Sequence, residues 1–395
     1  MKDVYYPLAS STWSQNEYDS IERVIRAGKF TMGNEVALYE QEFAKFFGSR
    51  FAVMSNSGSS ANLLALAGLK YMKDSTFENN DEIIVPAVSW STTFYPIHQL
   101  GYTLKFVDVD SETLNIDIDK VKESVSKRTK AVLAVNLLGN PCNLTELQDI
   151  CEEKDLTLIE DNCESMGALL HGRSAGTFGM AGTFSSFFSH HISTMEGGMT
   201  LTDNKNLYEA MVSLRAHGWT RELSQENSVH NKTGVAWDDL YRFVLPGYNL
   251  RPLELEAAIG REQIKKLSDF VAVRRLNAEY LKSNAWRFPN IRLQKEFGQS
   301  SWFGFSLLLS NNLRRKRSLL VDLLSENGIE SRPIVAGNFT KNPVIRHLRH
   351  VPLGELPEAD DIHFNGLFVG NHHYDLRSEI ERLVELLEKF EEKHA

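Results

Sequence analysis

The sequence predicts an α/β chain: a large unit on a mostly parallel mixed sheet covered on both faces, joined to a smaller C-terminal α+β unit. Three observations predict it. Short apolar runs alternate with helical patterns over the first part of the chain, the texture changes near residue 254, and 395 residues at 42% hydrophobic can bury a sizeable core.

Taken in order, NEVALYEQEFAKFF (Asn34–Phe47) places Val36, Tyr39, Phe43 and Phe46 on one helical face, and Gly48 follows as a stop. The runs FAVM from Phe51, EIIVP from Glu82, LKFVDV from Leu104, KAVLAVN from Lys130 and LTLIEDN from Leu156 read as strands. ANLLALAGLKYM and LTELQDICEEK read as helices lying among them, the alternation expected of a parallel sheet with both faces covered. From residue 254 a long helical stretch reaches Lys282, then SSWFGFSLLL reads as a strand and RSLLVDLLSENG as a helix. The chain closes on an amphipathic helix with Leu376, Ile380, Leu383, Leu387 and Phe390 on one face. The expected division is 1–253 for the large unit, with an N-terminal arm, and 254–395 for the small one.

A net charge of −9 argues against nucleic acid or an anionic membrane as main partner. The basic run RRKR (Arg314–Arg317), which opens a predicted helix, reads as a solvated turn. The opening MKDVYYPLAS lacks the apolar core of a signal peptide, and no apolar run reaches membrane-spanning length, so a cytoplasmic location is expected. Three cysteines, Cys142, Cys151 and Cys163, cannot all pair within the chain, which suits a reducing compartment. They cannot supply a four-cysteine iron–sulfur site from one chain either, and no metal ligand set is expected.

Three segments carry chemistry. SNSGSSANLLAL (Ser55–Leu66) puts Ser57, Gly58 and Ser59 at the start of a helix, where free N–H groups and the helix dipole suit a phosphate. An ordinary serine N-cap explains the same residues. Trp90, just after a strand in VPAVSWSTTFYP, either fills the core or stacks on a flat ring at the sheet's carboxyl edge, where open α/β sheets bind ligands. LTLIEDNCES ends a strand in Glu160 and Asp161. A carboxylate there can hold a protonated ring nitrogen and keep a pyridine cofactor acting as an electron sink; the other reading is a helix-capping Asp. Glu164 either reaches a ring hydroxyl or faces water.

A phosphate cup, a stacking aromatic and a strand-end Asp, in that order, resemble the fold-type I pyridoxal-phosphate enzymes. TFSSFFSHHISTMEGGMT (Thr183–Thr200) is similar to the sugar aminotransferase and dehydratase family, whose members read Ser-Phe-Phe-x-x-Lys, a Thr/Ser pair and Glu/Asp-Gly-Gly. Aligned through TFS and EGG, the family's lysine falls on His190, and no lysine stands between Lys154 and Lys205. Ser185 matches the serine that contacts the cofactor. GYNLRP (Gly247–Pro252) matches the segment that reaches into the neighbouring subunit's site, with Asn249 at the phosphate. YPLASSTW, PAVSWSTT, NLLGNP, EDNCESMGA, FSHHISTMEGG, RAHGWTRE, FVLPGYN and FVGNH, spread from Tyr6 to His372, resemble the family's GDP-sugar 3-dehydratases of colitose and O-antigen synthesis.

The resemblance implies a homodimer with two shared active sites and a noncovalently held pyridoxal or pyridoxamine phosphate. It further implies L-glutamate as amino donor, a GDP-linked 4-keto-6-deoxy sugar as substrate and loss of the C3 hydroxyl. His217, Arg221 and Arg251 are the candidates for the nucleotide diphosphate or the sugar. In a transaminase the lysine both anchors the cofactor covalently and shuttles a proton. An imidazole loses the first role and keeps the second, since its reference pKa is about 6.5. Such a base typically contributes ~10²- to 10⁴-fold. His191, next along an extended segment, is expected to point to the opposite face and serve the structure. An aminotransferase would want a lysine near residue 190. A catalytically inactive paralogue would be expected to have lost Asp161, Ser185 and Asn249 as well.

Overall fold

The computed structural model describes residues 4–394; the first three residues of the opening segment lie outside it. The chain begins α1 (Gln15–Ala27), α2 (Asn34–Phe47), β1 (Phe51–Ser55), α3 (Gly58–Tyr71), β2 (Glu82–Pro86), α4 (Ser91–Gln99) and β3 (Thr103–Val107). It continues α5 (Ile118–Ser124), β4 (Thr129–Val135), α6 (Leu144–Glu153), β5 (Thr157–Asp161) and the short hairpin β6 (Leu169–Leu170) and β7 (Arg173–Ser174). The pair β8 (Ala181–Ser185) and β9 (Gly198–Thr202) precedes α7 (Lys205–Arg215), α8 (Ala236–Asp239), α9 (Glu254–Gln263) and α10 (Leu267–Ser283). The last part is β10 (Ile291–Arg292), β11 (Gly304–Leu309), α11 (Arg317–Glu326), β12 (Ser331–Arg332), α12 (Pro357–Asn365), β13 (Gly366–Gly370) and α13 (Arg377–His394).

Seven strands form one sheet in the order β1-β9-β8-β5-β4-β2-β3, and β9 alone runs against its neighbours β1 and β8. The expected mostly parallel mixed sheet is what the chain forms. The pleat explains the continuous apolar runs. Ile83, Val85, Ala131 and Leu133 pack into one core cluster, while the alternate residues Ile84, Val132, Ala134 and Leu158 pack with Leu144, Leu147 and Ile150 of α6 on the opposite face. Burial on both faces removes the alternation that a half-exposed strand would show.

Four strands, in the order β10-β11-β13-β12, make a second sheet with its own core against α10, α11 and α13. Leu376, Ile380, Leu383, Leu387 and Phe390 all enter that core, as the periodicity predicts. So does Tyr6 of the N-terminal arm, whose hydroxyl donates to the Gly370 carbonyl at 2.5 Å. The arm therefore reaches across the chain to the C-terminal sheet.

Two details depart from the sequence reading. On α2 the buried stripe is Val36, Tyr39, Phe43 and Phe47, whereas Phe46 is 42% exposed. Steps of three and four residues keep Phe47 in line with Phe43; Phe46 falls beside the stripe. The other departure is at the histidines: residues 186–190 turn back, with the His190 N–H donating to the Phe187 carbonyl at 2.9 Å, rather than running extended. No helix among the described residues is long and apolar enough to cross a membrane.

Candidate active site

The carboxyl ends of β1, β2, β4, β5 and β8 face one edge of the large sheet, and a cavity of about 620 Å³ opens there. Ser57, Gly58, Ser59, Trp90, Asp161, Glu164, Ser185 and His190 all line it. Separate segments of the sequence thus meet at the place where open α/β sheets bind ligands.

Ser57 is the N-cap of α3, its Oγ accepting from the Ser60 N–H at 3.1 Å, and the same first turn forms the cavity edge. The serine N-cap reading is what the chain forms, and the capped turn stands at the cavity edge. A Cβ on Gly58 would lie 2.6 Å from Ser185 Cβ, and one on Gly198 would lie 2.0 Å from the Ser57 carbonyl oxygen. Glycine at both points lets the helix start press against β8 and β9.

Asp161 ends β5, is 6% exposed, and caps no helix. Its Oδ2 accepts from Asn62 Nδ2 at 2.9 Å and from Thr93 Oγ1 at 2.8 Å, and its Oδ1 accepts from the Cys163 N–H at 3.2 Å. Three donors fix the carboxylate plane against the cavity. Trp90 is 57% exposed at the start of α4, which rules out the core reading and leaves its ring free at the cavity wall. Glu160 turns away from the cavity and accepts from the N–H groups of Gly176, Phe178 and Gly179. Glu164 takes the Leu138 N–H on Oε2 at 3.1 Å; burial, reinforced by the nearby Asp161 charge, pushes its carboxyl up to about 7.

His190 stands between Phe187 and Phe303, with ring centroids 6.1 Å and 5.3 Å away. Its Nδ1 is buried without a hydrogen-bond partner, and Nε2 finds none among the described residues. Burial, with the Arg274 charge adding to it, lowers the imidazole to about 4. The ordinary value assumed from sequence does not hold here: the ring is neutral through the physiological range, an acceptor but a weaker one. His191 is fully buried with Nε2 3.1 Å from the Ser301 carbonyl, and it does not line the cavity.

Asn249, His217, Arg221 and Arg251 do not line this cavity. They gather elsewhere, where the Arg221 guanidinium stacks 3.9 Å from the Trp219 ring centroid, His217 meets the same ring at 5.2 Å, and Arg251 Nε donates to Asn249 Oδ1 at 3.0 Å. Tyr241, under Arg221, and Phe243, against Trp219, stand 66% and 59% exposed.

Several lining residues were missed from sequence. Asn62 was legible as the one polar side chain in the run ANLLALAGL, and it is 3% exposed. Thr93 sits one helical turn from Trp90 on α4, but nothing local marks it. Phe303 and Arg332 come from the second sheet's side of the chain, so only tertiary packing brings them to the cavity. Arg332 is the one lysine or arginine in the lining and forms no ion pair among the described residues.

The profile of the DegT/DnrJ/EryC1/StrS aminotransferase family matches residues 12–388. The chain is similar to a GDP-4-keto-6-deoxy-D-mannose 3-dehydratase of Yersinia pseudotuberculosis, 50% identical over 388 residues that cover 98% of this chain and 99% of the relative. It is similar to the Escherichia coli enzyme of that name with bound hydrated PLP, at 51% identity and a TM-score of 0.95 over 98% of this chain and 100% of the other. A GDP-4-keto-6-deoxymannose-3-dehydratase with a trapped PLP-glutamate geminal diamine matches at 51% identity and a TM-score of 0.94, over 97% of this chain and 100% of the other. The resemblance read from the motifs therefore stands, and the chain belongs to the DegT/DnrJ/EryC1/StrS aminotransferase family.

Proposed function

We propose that the protein is a glutamate-dependent 3-dehydratase that uses pyridoxal and pyridoxamine phosphate, converting GDP-4-keto-6-deoxy-D-mannose to GDP-4-keto-3,6-dideoxy-D-mannose, for colitose and O-antigen synthesis in the cytoplasm. The observation that carries the reading is His190 in the cavity beside Asp161, Ser185 and Trp90, with no lysine in the lining.

The residues present fit the cofactor. The first turn of α3, opened by Ser57, Gly58 and Ser59, offers unpaired N–H groups for its phosphate. Asp161, oriented by Asn62 and Thr93, offers an anionic partner for a protonated ring nitrogen, and Trp90 offers a face for the ring. Glu164 and Ser185 stand in the same lining, where Glu164 would meet the ring hydroxyl and Ser185 would make a further polar contact. Bound there, the cofactor supplies an electron sink and the amine nitrogen that is lost as ammonia.

His190 is the proton carrier. Its ring takes the proton that the elimination removes and delivers it to the departing C3 hydroxyl oxygen. Phe187, Phe303, Val335 and Phe368 give the cavity wall around that ring apolar surface. A phosphate and a sugar diphosphate need more positive charge than Arg332 alone provides in this lining, which also carries Asp161, Glu164 and Glu196. Arg221 and Arg251 supply it from a second copy, with Asn249 and His217 as further polar contacts, which makes the protein a homodimer with two shared sites. The decisive test incubates purified protein with pyridoxal phosphate, the GDP-sugar and glutamate. Release of ammonia and 2-oxoglutarate with loss of the C3 oxygen supports the dehydratase; an aminated sugar without ammonia contradicts it.

A further inference from the structure

Arg274, on α10, is 3% exposed and has no carboxylate partner among the described residues. Its Nη1 donates only to backbone carbonyls: Asn371 at 2.6 Å, Phe303 at 3.2 Å and Trp302 at 3.4 Å, while Nε is buried with no partner. A buried cation without a counter-charge is expensive, and natural chains usually pair one. Two of these carbonyls, those of Trp302 and Phe303, belong to one strap, and that of Asn371 lies beside it. Residues 301–303 cross from the second sheet to the cavity, with the Ser301 N–H donating to the Gly139 carbonyl at 2.8 Å and the Phe303 N–H to the Leu138 carbonyl at 3.0 Å. Trp302 in this strap and Leu138 opposite it both hold left-handed backbone, φ 49 and 52, where non-glycine residues are strained. Asn371 braces the same point, its Nδ2 donating to the carbonyls of Trp302 and of Arg274 itself. The strap ends in Phe303, the ring against which both His190 and His191 stand.

We propose that Arg274 is a positioning residue for His190: it pins the 302–303 backbone so that the Phe303 ring fixes the imidazole. The proposal rests on the functional reading above. An imidazole that must accept a proton cannot already hold one, and a cation with no acid beside it biases the ring toward the neutral form. Other charged or titratable groups face the same ring or its support. Asp161, Cys163, Glu164, Glu196 and Arg332 share the cavity lining. His191, His372 and His373 are lowered by burial first and by Arg274 second or close behind, so the effect of Arg274 extends across the cluster.

The test reads the histidine directly. Diethyl pyrocarbonate acylates imidazole only in its neutral form, so the rate of modification at His190, followed by peptide mass spectrometry in cofactor-free protein across the pH range in which it stays folded, reads its protonation midpoint. Arg274→Met, which removes the charge, is expected to raise that midpoint by about one unit or more. Arg274→Lys keeps a charge but loses the guanidinium fork. It is expected to leave the midpoint near the parent's and to lower kcat for sugar dehydration ~10-fold at unchanged KM. Arg275→Met, whose arginine reaches the carbonyls of Gly167, Gln299 and Ser300 instead, should change neither. A parent-like midpoint in folded Arg274→Met overturns the electrostatic part. A parent-like kcat in Arg274→Lys overturns the positioning part, and that variant decides alone if Arg274→Met does not fold. The midpoint needs no turnover, so a parent that releases no 2-oxoglutarate from glutamate defeats the functional reading and leaves this comparison standing.

Discussion

In the cavity wall, Asp161 is held by Asn62, Thr93 and the Cys163 N–H, Glu164 by Leu138, and His190 by two phenyl rings. In the segment from His217 to Leu253, Trp237 is 82% exposed and Tyr241 66%, and Arg221 and Arg251 meet aromatic faces or a neighbouring amide rather than acids. One region is finished within the chain, with its polar groups placed by partners from several strands. The other presents cations and aromatic rings outward. On the function proposed above, the first region would hold the cofactor ring and the second would complete the anion-binding end of a second copy's site.

The largest expected effect lies in the finished region. Asp161→Asn keeps the shape but removes the charge that would hold a protonated ring nitrogen, so dehydration should fall ~10³-fold. Near-parent turnover would show that another group carries the ring. Asn249→Ala should also lose most activity, yet by a different route. Mixed in equal amounts, Asp161→Asn and Asn249→Ala subunits should recover about a quarter of parental activity, because half the dimers then hold one intact shared site. No recovery after subunit exchange would mean that both residues serve one chain's own site, and the comparison of the two regions would break.

A smaller effect concerns stability. Glu164 has its carboxyl raised from 4.5 to about 7 in the folded chain. The native state therefore binds a proton that the unfolded chain releases above 4.5. This contributes stability that is fully present below that value and is lost as pH rises through about 7. Glu164→Gln, which stays neutral, should be nearly as stable as the parent at pH 5 and more stable at pH 8, by roughly 1–3 kcal/mol, as read by thermal or denaturant unfolding. A variant-to-parent difference that does not change with pH would place Glu164 in water rather than against the cavity wall.

The fold was legible where apolar runs and helical periods alternate, and the strand-end Asp161 and the α3 start could be placed from local sequence alone. The strands β8 and β9 flanking the histidines were not read as such, because Gly, Ser and Thr give them little apolar signal. Phe303, Arg332 and Arg274 were invisible for a different reason. Each lies more than a hundred residues from Asp161 in sequence and comes to the site only through packing of the second sheet and α10. The shift of His190 has the same origin, since burial by Phe303 and the charge of Arg274 cannot be read from the string SHHIS.

The central claim is that His190 is the proton acceptor that replaces a lysine. It is tested by single-turnover loss of the sugar's C3 oxygen on protein preloaded with pyridoxamine phosphate, which bypasses the glutamate half-reaction. His190→Asn keeps polarity and approximate size, so the GDP-sugar should bind within a few-fold of the parent while dehydration slows by ~10²-fold or more. A His190→Asn protein that dehydrates the sugar at the parent's rate would contradict the account and make another group in the cavity the base.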